Sequence, residues 1–264
     1  MSDWFYQLPV IWMALVVFAL TYLVTFVTWW IVMALATRHR AARYAGIAAS
    51  ILSPLGTTFG LLVGFLAVQV WDDSQQAHEA VTREAGALRT AVILASSLST
   101  QTEARIDALI ARHIHESANR EWPAMADQQE TISSLPVALG EALRLTLAQV
   151  PTTEREAIGQ RELVRSFEEA LDARRQRIII SQLSIDWVKW SALALQALLL
   201  LVTIAMVQCE RRDTAAIAMG IFATSVATSA LLIAAHARPF TGQISVKPEA
   251  LWQVMPTPVP VARP

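Results

Sequence analysis

One helix face in and just after residues 53–71 combines apolar, polar and acidic side chains. Thr58, Leu62, Phe65, Gln69 and Asp72 recur every three or four residues, so an α-helix places them on one side. The face changes from apolar to acidic along its length, which suits a helix that lines a water-filled pore. The alternative interpretation is packing against other helices of the same bundle.

Asp72 and Asp73 stand where this apolar stretch gives way to polar sequence. In an oligomer they would form acidic rings at a pore mouth, and rings of carboxylates favour cations. Alternatively, they are simply the charged residues that a helix presents to water where it leaves a bilayer. The sequence leaves both interpretations open.

Three glycines follow a second face of the same helix. Gly56, Gly60 and Gly64 are four residues apart, which is a doubled small-xxx-small pattern. Small residues in this register let the backbone of another membrane helix approach closely. Together with a fourth apolar run rich in Ala, Ser, Thr and Gly, they predict helix packing and a homo-oligomer.

The histidines are not spaced to share a metal ion. His113 and His115 lie two positions apart, so a helix points their side chains roughly 200° apart. We therefore interpret His113, His115 and Glu116 as part of a solvated helix face. His78 has no second histidine at helical spacing, and His236 lies at the end of an apolar run. The sequence predicts no metal site.

The remaining charges fit surface pairing better than catalysis. Three acidic and three basic residues near the end of a long helical pattern have the spacing of surface ion pairs; they are Glu168, Glu169, Asp172, Arg165, Arg174 and Arg175. The chain contains no phosphate loop, nucleophile elbow or paired-carboxylate pattern. We therefore predict that the protein is not an enzyme and needs no cofactor.

Composition places the protein in a membrane. The 264 residues are 54% hydrophobic and only 16% charged, with a mean hydropathy of +0.41, whereas soluble domains carry roughly 25% charged residues. A net charge of −1 and the lack of a long basic tract argue against a nucleic-acid partner. The one cysteine, Cys209, cannot form an internal disulfide.

Four apolar runs predict an all-α membrane protein with four transmembrane helices. Residues 1–71 hold the first two helices, 72–186 a helical extramembrane domain, 187–237 the third and fourth helices, and 238–264 a Pro-rich tail. Pro54 should bend or break the second helix. Beyond it, the helical period continues past residue 72, so this helix should extend into the domain as one rod.

Capping signals divide the helical domain. Thr100 with Glu103 and Thr153 with Glu156 have capping-box spacing, so each pair should begin a helix. The helix that follows Thr153 should run on into the third span. Arginines in the two short loops, at positions 38, 40, 43, 211 and 212, place those loops in the cytoplasm. The termini and the helical domain are then outside.

Several short motifs, taken together, resemble the bestrophin-like family of bacterial membrane proteins. In chain order they are Phe59-Gly60, Gly64-Phe65 and Trp71; Glu84-Ala85-Gly86-Ala87-Leu88; Glu121-Trp122-Pro123-Ala124-Met125; Arg174-Arg175-Gln176-Arg177; and Arg238-Pro239-Phe240-Thr241-Gly242. The resemblance extends distantly to bestrophins, which are pentameric anion channels, and it implies a bacterial inner-membrane location.

In bestrophins, apolar side chains of the corresponding helix form the narrow neck of the pore. The resemblance therefore implies that Phe59 and Phe65 form such rings here. Bestrophins keep their helical domain in the cytosol, which is opposite to the orientation that the loop arginines predict.

Our leading hypothesis is thus a homo-oligomeric ion channel, for which the resemblance implies five subunits and anion conduction. Its partners are membrane lipids and inorganic ions. A cation channel of the same architecture is one alternative, and a non-conducting scaffold or sensor that binds a partner through its helical domain is another. In a channel the Thr58–Asp72 face must point to a shared axis, whereas in a scaffold another span of the same subunit would bury it.

Overall fold

A computed structural model describes residues 3–35 and 38–256, and within these ranges the chain is all-helical, with no strand. The elements in chain order are α1 (Asp3–Tyr6), α2 (Val10–Leu35), α3 (Arg38–Ala95), α4 (Thr100–Glu116), a π-helical turn (Ser117–Glu121), α5 (Trp122–Ala126), α6 (Val137–Leu147), α7 (Glu154–Ser181), α8 (Trp187–Val207), α9 (Arg212–His236) and α10 (Glu249–Gln253).

Four of these helices are long and apolar enough to cross a membrane. They comprise α2, the Ala48–Ala95 part of α3, α8 and α9. This agrees with the four spans predicted from the sequence, and the protein is an integral membrane protein.

The first compact unit consists of Met1–Asp72, Ser184–Arg238 and Gly242–Ile244. In it α2 packs against α8 and α9, and α8 packs against α9. Its core includes Met13, Leu66, Leu200 and Val226. Large apolar side chains cover the outer faces of α2 and α9, which suits helices that contact lipid.

The second compact unit consists of Asp73–Leu183, Pro239–Thr241 and Ser245–Pro264. Here α6 packs against both α4 and α7, around a core that includes Leu88, Ile110 and Phe167. Thr153 caps α7 as predicted, because its side chain accepts a hydrogen bond from the Glu156 backbone N–H. Most of the chain beyond residue 238 also belongs to this unit, including α10.

The helix boundaries differ from the sequence predictions in three places. The helix α3 continues through Pro54 as well as past Asp72, so the proline does not break it although the rod was predicted correctly. The cap of α4 is Ser99 instead of Thr100, since the Ser99 side chain accepts from the Thr102 backbone N–H. The prediction that α7 runs into the third span was wrong.

The chain between α7 and α8 is not helical, and side-chain contacts stabilise its conformation. Gln182 caps the end of α7, and its side-chain amide donates to the Glu130 carbonyl at 2.8 Å. Ile185 is buried, and α8 begins only at Trp187. Two predictions concern parts of the chain that are not described. The basic loop depends on the side chains of Arg38, His39, Arg40 and Arg43, and the end of the Pro-rich tail lies at 257–264.

Candidate functional site

The predicted pore face lies on the middle of α3. Thr58, Phe65 and Asp72 are exposed, and Phe65 is 72% exposed despite its size. Leu62 and Gln69 lie at the edge of this face and are half-buried. Gln69 also has a partner in the same unit, since the Lys189 ammonium on α8 donates to its Oε1 atom at 2.9 Å. Three of the five residues are therefore exposed in the single chain.

Phe59 lies roughly 100° around α3 from Thr58 and faces the core. It is only 9% exposed, and its ring centroid lies 5.8 Å from that of Phe222 on α9. A side chain that packs between two spans of one subunit is not available to form a ring around an axis. Of the two phenylalanines suggested by the resemblance, Phe65 is the one with the required exposure.

The glycine stripe of α3 is open in the single chain. Gly56, Gly60 and Gly64 are all exposed, and a Cβ atom added to any of them would have no described atom within 4 Å. No other span described in this subunit uses the close approach that the three glycines permit. Asp72 is exposed at the end of the first unit, and Asp73 is half-buried at the start of the second.

A buried charge cluster in the second unit was not predicted from the sequence. It consists of Glu84 on α3, His113 on α4, Glu121 in the π turn, and Arg174 and Arg177 on α7. Its centre is Arg177, which is 0% exposed. The Arg177 Nε and Nη2 atoms donate to the two Glu84 carboxylate oxygens at 2.8 and 3.2 Å, and Nη2 also donates to Glu121 Oε2 at 3.0 Å.

Arg174 and the π turn complete the cluster. Arg174, 4% exposed, donates from Nε and Nη2 to Glu121 Oε1 at 2.9 and 2.7 Å. Ser117 is the first residue of the π turn, and its hydroxyl donates to Glu121 Oε2 at 3.2 Å. The surface pairing predicted for Arg174 was therefore wrong, whereas Arg175 does pair with Asp172 at 2.9 Å.

His113 is also part of this cluster, which corrects its interpretation as a solvated residue. It is 1% exposed, and its Nε2 atom lies 2.9 Å from Glu84 Oε1. His115 points elsewhere, as its spacing predicted, and its ring lies edge-on to Trp252 at 5.0 Å. Among the described residues no group of three His, Cys, Asp or Glu could hold a metal ion.

The electrostatics of the cluster favour ionised carboxylates in spite of burial. Burial raises the pKa of Glu84, but Arg177 and the His113 contacts outweigh it, and the pKa lies below its ordinary value. For Glu121, burial again raises the pKa, whereas Arg177 and Arg174 lower it to about 2. Each carboxylate thus remains charged at neutral pH and is matched by a guanidinium.

Aromatic residues close the cluster on one side. The Arg177 guanidinium lies over the Trp122 ring at 4.5 Å, and the Trp122 indole N–H donates to the Val246 carbonyl at 3.0 Å. Phe240 meets the same ring edge-on at 5.8 Å. The Thr241 hydroxyl donates to the Ala126 carbonyl at 2.7 Å. These contacts tie the chain beyond α9 to the second unit.

Every group in the cluster has a charged or hydrogen-bonding partner. The cluster therefore connects α3, α4, the π turn and α7 through ion pairs and hydrogen bonds. A signal for it was present in the sequence. Glu84, Glu121 and Arg174 belong to three separate motifs of the family resemblance, and Arg174 and Arg177 are one helical turn apart. Spacing alone could not bring these motifs together.

Comparison with known proteins gives one finding. A family model described as a Bestrophin-like domain matches residues 9–251. No characterised protein and no solved structure matches the chain. The matched region includes α2, α8, α9 and the whole buried charge cluster. Because the match covers most of the 264 residues, the chain belongs to the bestrophin-like domain family.

Proposed function

We propose that this integral membrane protein is a homo-oligomeric ion channel in which α3 lines the pore. The observation that carries the proposal is the exposure of Thr58, Phe65 and Asp72, which combine polar, aromatic and acidic side chains on one face of a membrane helix. A scaffold would bury this face against another span of the subunit, and no described span does so. Family membership supports a channel-like protein over an enzyme.

Phe65 is the proposed gate. Several phenylalanine rings around an axis would leave a narrow apolar constriction, and ions would face a dewetting barrier there. Thr58 and Asp72 lie about two helical turns to either side of Phe65, so the polar ends of the face flank the apolar ring. Gly56, Gly60 and Gly64 lie roughly on the opposite side of α3 from Phe65, where they would let a helix of another subunit approach closely.

The second unit is proposed as a helical domain outside the bilayer between the second and third spans, in the inner membrane of a bacterium. The loop arginines favour an external domain, whereas the resemblance to bestrophins favours a cytosolic one. Labelling a cysteine introduced at the exposed position Arg89, with an impermeant thiol reagent on intact cells, distinguishes the two orientations.

The function is tested by subunit mass and ion flux together. In nanodiscs a pentamer would have about five times the 29.0 kDa chain mass. Replacing Phe65 with Ala should widen the constriction and raise the resting leak of reconstituted vesicles. Phe26 is the matched control, since it is 61% exposed on α2 and should contact lipid; Phe26→Ala should leave the leak unchanged.

The flux assay also decides between the alternatives. An anion channel should give a reversal potential near that of chloride in a salt gradient, whereas acidic rings at Asp72 and Asp73 would shift it toward that of the cation. If Phe65→Ala protein is folded and its vesicles stay as tight as protein-free ones, the scaffold or sensor hypothesis replaces the channel.

A further inference from the structure

A cleft in the second unit lies between α4 and α6, and no residue of the buried charge cluster lines it. It has a volume of about 600 Å³. Arg105 and Arg112 line the α4 wall, and Glu141 and Arg144 line the α6 wall. Leu109 and Leu145 form the apolar part of the lining. We call this feature the basic cleft.

Helical spacing explains why these residues share one surface. Arg105, Leu109 and Arg112 follow each other by four and three residues, so they occupy one face of α4. On α6, Glu141, Arg144 and Leu145 have the same relation. The faces buried between the two helices carry Ile106, Ile110 and Ala142, so the charged residues lie at the rim.

The charges of the basic cleft are not balanced within the chain. Arg112 is paired, because its Nη2 atom lies 2.6 Å from Glu141 Oε2 and its Nε atom lies 3.8 Å from Glu116 Oε1. Arg105 and Arg144 form no salt bridge with any residue that the structure describes. The lining residues alone, three guanidiniums and one carboxylate, carry a net charge of +2, and including Glu116, which is paired with Arg112, lowers it to +1.

Exposed arginines elsewhere in the unit, such as Arg89 and Arg155, also form no salt bridge with any described residue. Arg105 and Arg144 differ from them because both line one concave surface. In the buried charge cluster each carboxylate is matched by a guanidinium, and the exposed Arg175 is paired with Asp172. In the basic cleft Arg105 and Arg144 line a concave, partly apolar surface whose one carboxylate, Glu141, is paired with Arg112. Guanidinium groups donate in a fork that matches the oxygens of phosphate and carboxylate groups.

We propose that the basic cleft binds a soluble phosphate monoester with an apolar body. A monoester carries a charge close to −2 at neutral pH, which matches the two unpaired arginines. Its phosphate group would lie between Arg105 and Arg144, and its apolar body would cover Leu109 and Leu145. The volume falls in the range of roughly 300–1,000 Å³ that is common for small-molecule sites and exceeds what inorganic phosphate requires.

This proposal does not depend on ion conduction, and it is tested by binding alone. Phenyl phosphate is titrated into the full-length protein in phosphatidylcholine nanodiscs and followed by calorimetry at a pH of about 7.5, where the monoester is dianionic. We expect one saturable site per chain that weakens as salt is added. Inorganic phosphate and phenol should each bind more weakly than phenyl phosphate. Inorganic phosphate lacks the apolar body that would cover the leucines, and phenol lacks the phosphate that would contact the arginines.

Two variants on different helices locate the site. Arg105→Gln and Arg144→Gln each keep a polar side chain but remove one charge, and each should weaken phenyl phosphate binding by about tenfold. Arg89→Gln is the matched control, because Arg89 is also exposed but lies on α3 and does not line the cleft. Its affinity should stay within about twofold of wild type. Unchanged thermal unfolding would establish that the variants are folded.

Several results would overturn the proposal. These are no saturable binding of phenyl phosphate at millimolar concentrations, affinity unchanged in both cleft variants, or an equal loss in Arg89→Gln. A separate titration uses nanodiscs that contain phosphatidic acid, a lipid with the same headgroup chemistry. If that lipid abolishes phenyl phosphate binding, the natural ligand is a lipid headgroup and the soluble ligand is excluded.

Discussion

Replacing Arg177 with Met is the most informative perturbation of the buried charge cluster. The substitution keeps most of the apolar stem but removes the hydrogen bonds to Glu84 and Glu121 and the contact with Trp122. Removing one partner of a buried ion pair costs about 3–5 kcal/mol, because a charge is left in a medium of low dielectric constant. Glu121 keeps Arg174 and Glu84 keeps His113, so we expect a value near the lower limit, about 3 kcal/mol.

The chain offers a closely matched control two residues away. Arg175 lies on the same helix and has the same side chain, but it is exposed and pairs only with the exposed Asp172. Arg175→Met should change the free energy of unfolding by less than about 0.5 kcal/mol. Unfolding followed by tryptophan fluorescence in detergent should show a loss of roughly 6–12 °C in Tm for Arg177→Met and almost none for the control.

A double variant separates lost charge balance from lost packing. In Arg177→Met the Glu84 carboxylate keeps only His113 as a charged partner. Adding Glu84→Gln removes that carboxylate and should raise the free energy of unfolding again by about 1–3 kcal/mol. Equal Tm losses in Arg177→Met and Arg175→Met would refute the account of the cluster. A double variant no more stable than Arg177→Met would show that packing, and not the uncompensated carboxylate, causes the loss.

Two further predictions concern acid stability and assembly. The pKa of Glu121 is lowered to about 2 in the folded protein from an ordinary 4.5, so its stabilising contribution is complete above about pH 4.5 and is lost as the pH falls toward 2. By pH 3 we expect the free energy of unfolding, measured by denaturant titration, to fall by roughly 2 kcal/mol. Glu121→Gln should remove this pH dependence. An unchanged pH dependence in that variant would contradict the charge assignment. Gly60→Leu should leave the subunit folded, because no described atom lies within 4 Å of a Cβ added at this position. It should nevertheless reduce the mass of the oligomer measured in nanodiscs. An oligomer of unchanged mass would show that the glycine stripe is not an interface.

The architecture was predictable from sequence because apolar length and helical period are local properties. Four uncharged runs indicated four spans, and the capping spacing at Thr153 located the start of α7. The helix does not break at Pro54, because a proline costs hydrogen bonds locally but does not by itself end a long helix. The end of α7 was missed because it depends on a side-chain bond from Gln182 to distant chain.

The buried charge cluster could not be predicted from spacing, because its members come from three distant segments. Glu84 and Arg177 are 93 positions apart, and only the tertiary fold brings them to 2.8 Å. His113 and Arg174 were interpreted as surface residues because charged and titratable side chains are rarely fully buried. The exposed face of α3 could be predicted, because Thr58, Phe65 and Asp72 are seven residues apart and a helix therefore places them on one side.

The most direct test of the channel is the effect on flux of a charged group attached at residue 58. Thr58→Cys is made in a Cys209→Ala background, because Cys209 is the one native thiol, and reconstituted vesicles are treated with a water-soluble cationic thiosulfonate. Leu20→Cys on the exposed face of α2 is the control. If α3 lines the pore, modification of Thr58→Cys changes ion flux severalfold and modification of Leu20→Cys does not. Complete labelling of Thr58→Cys with no change in flux would contradict a pore lined by α3.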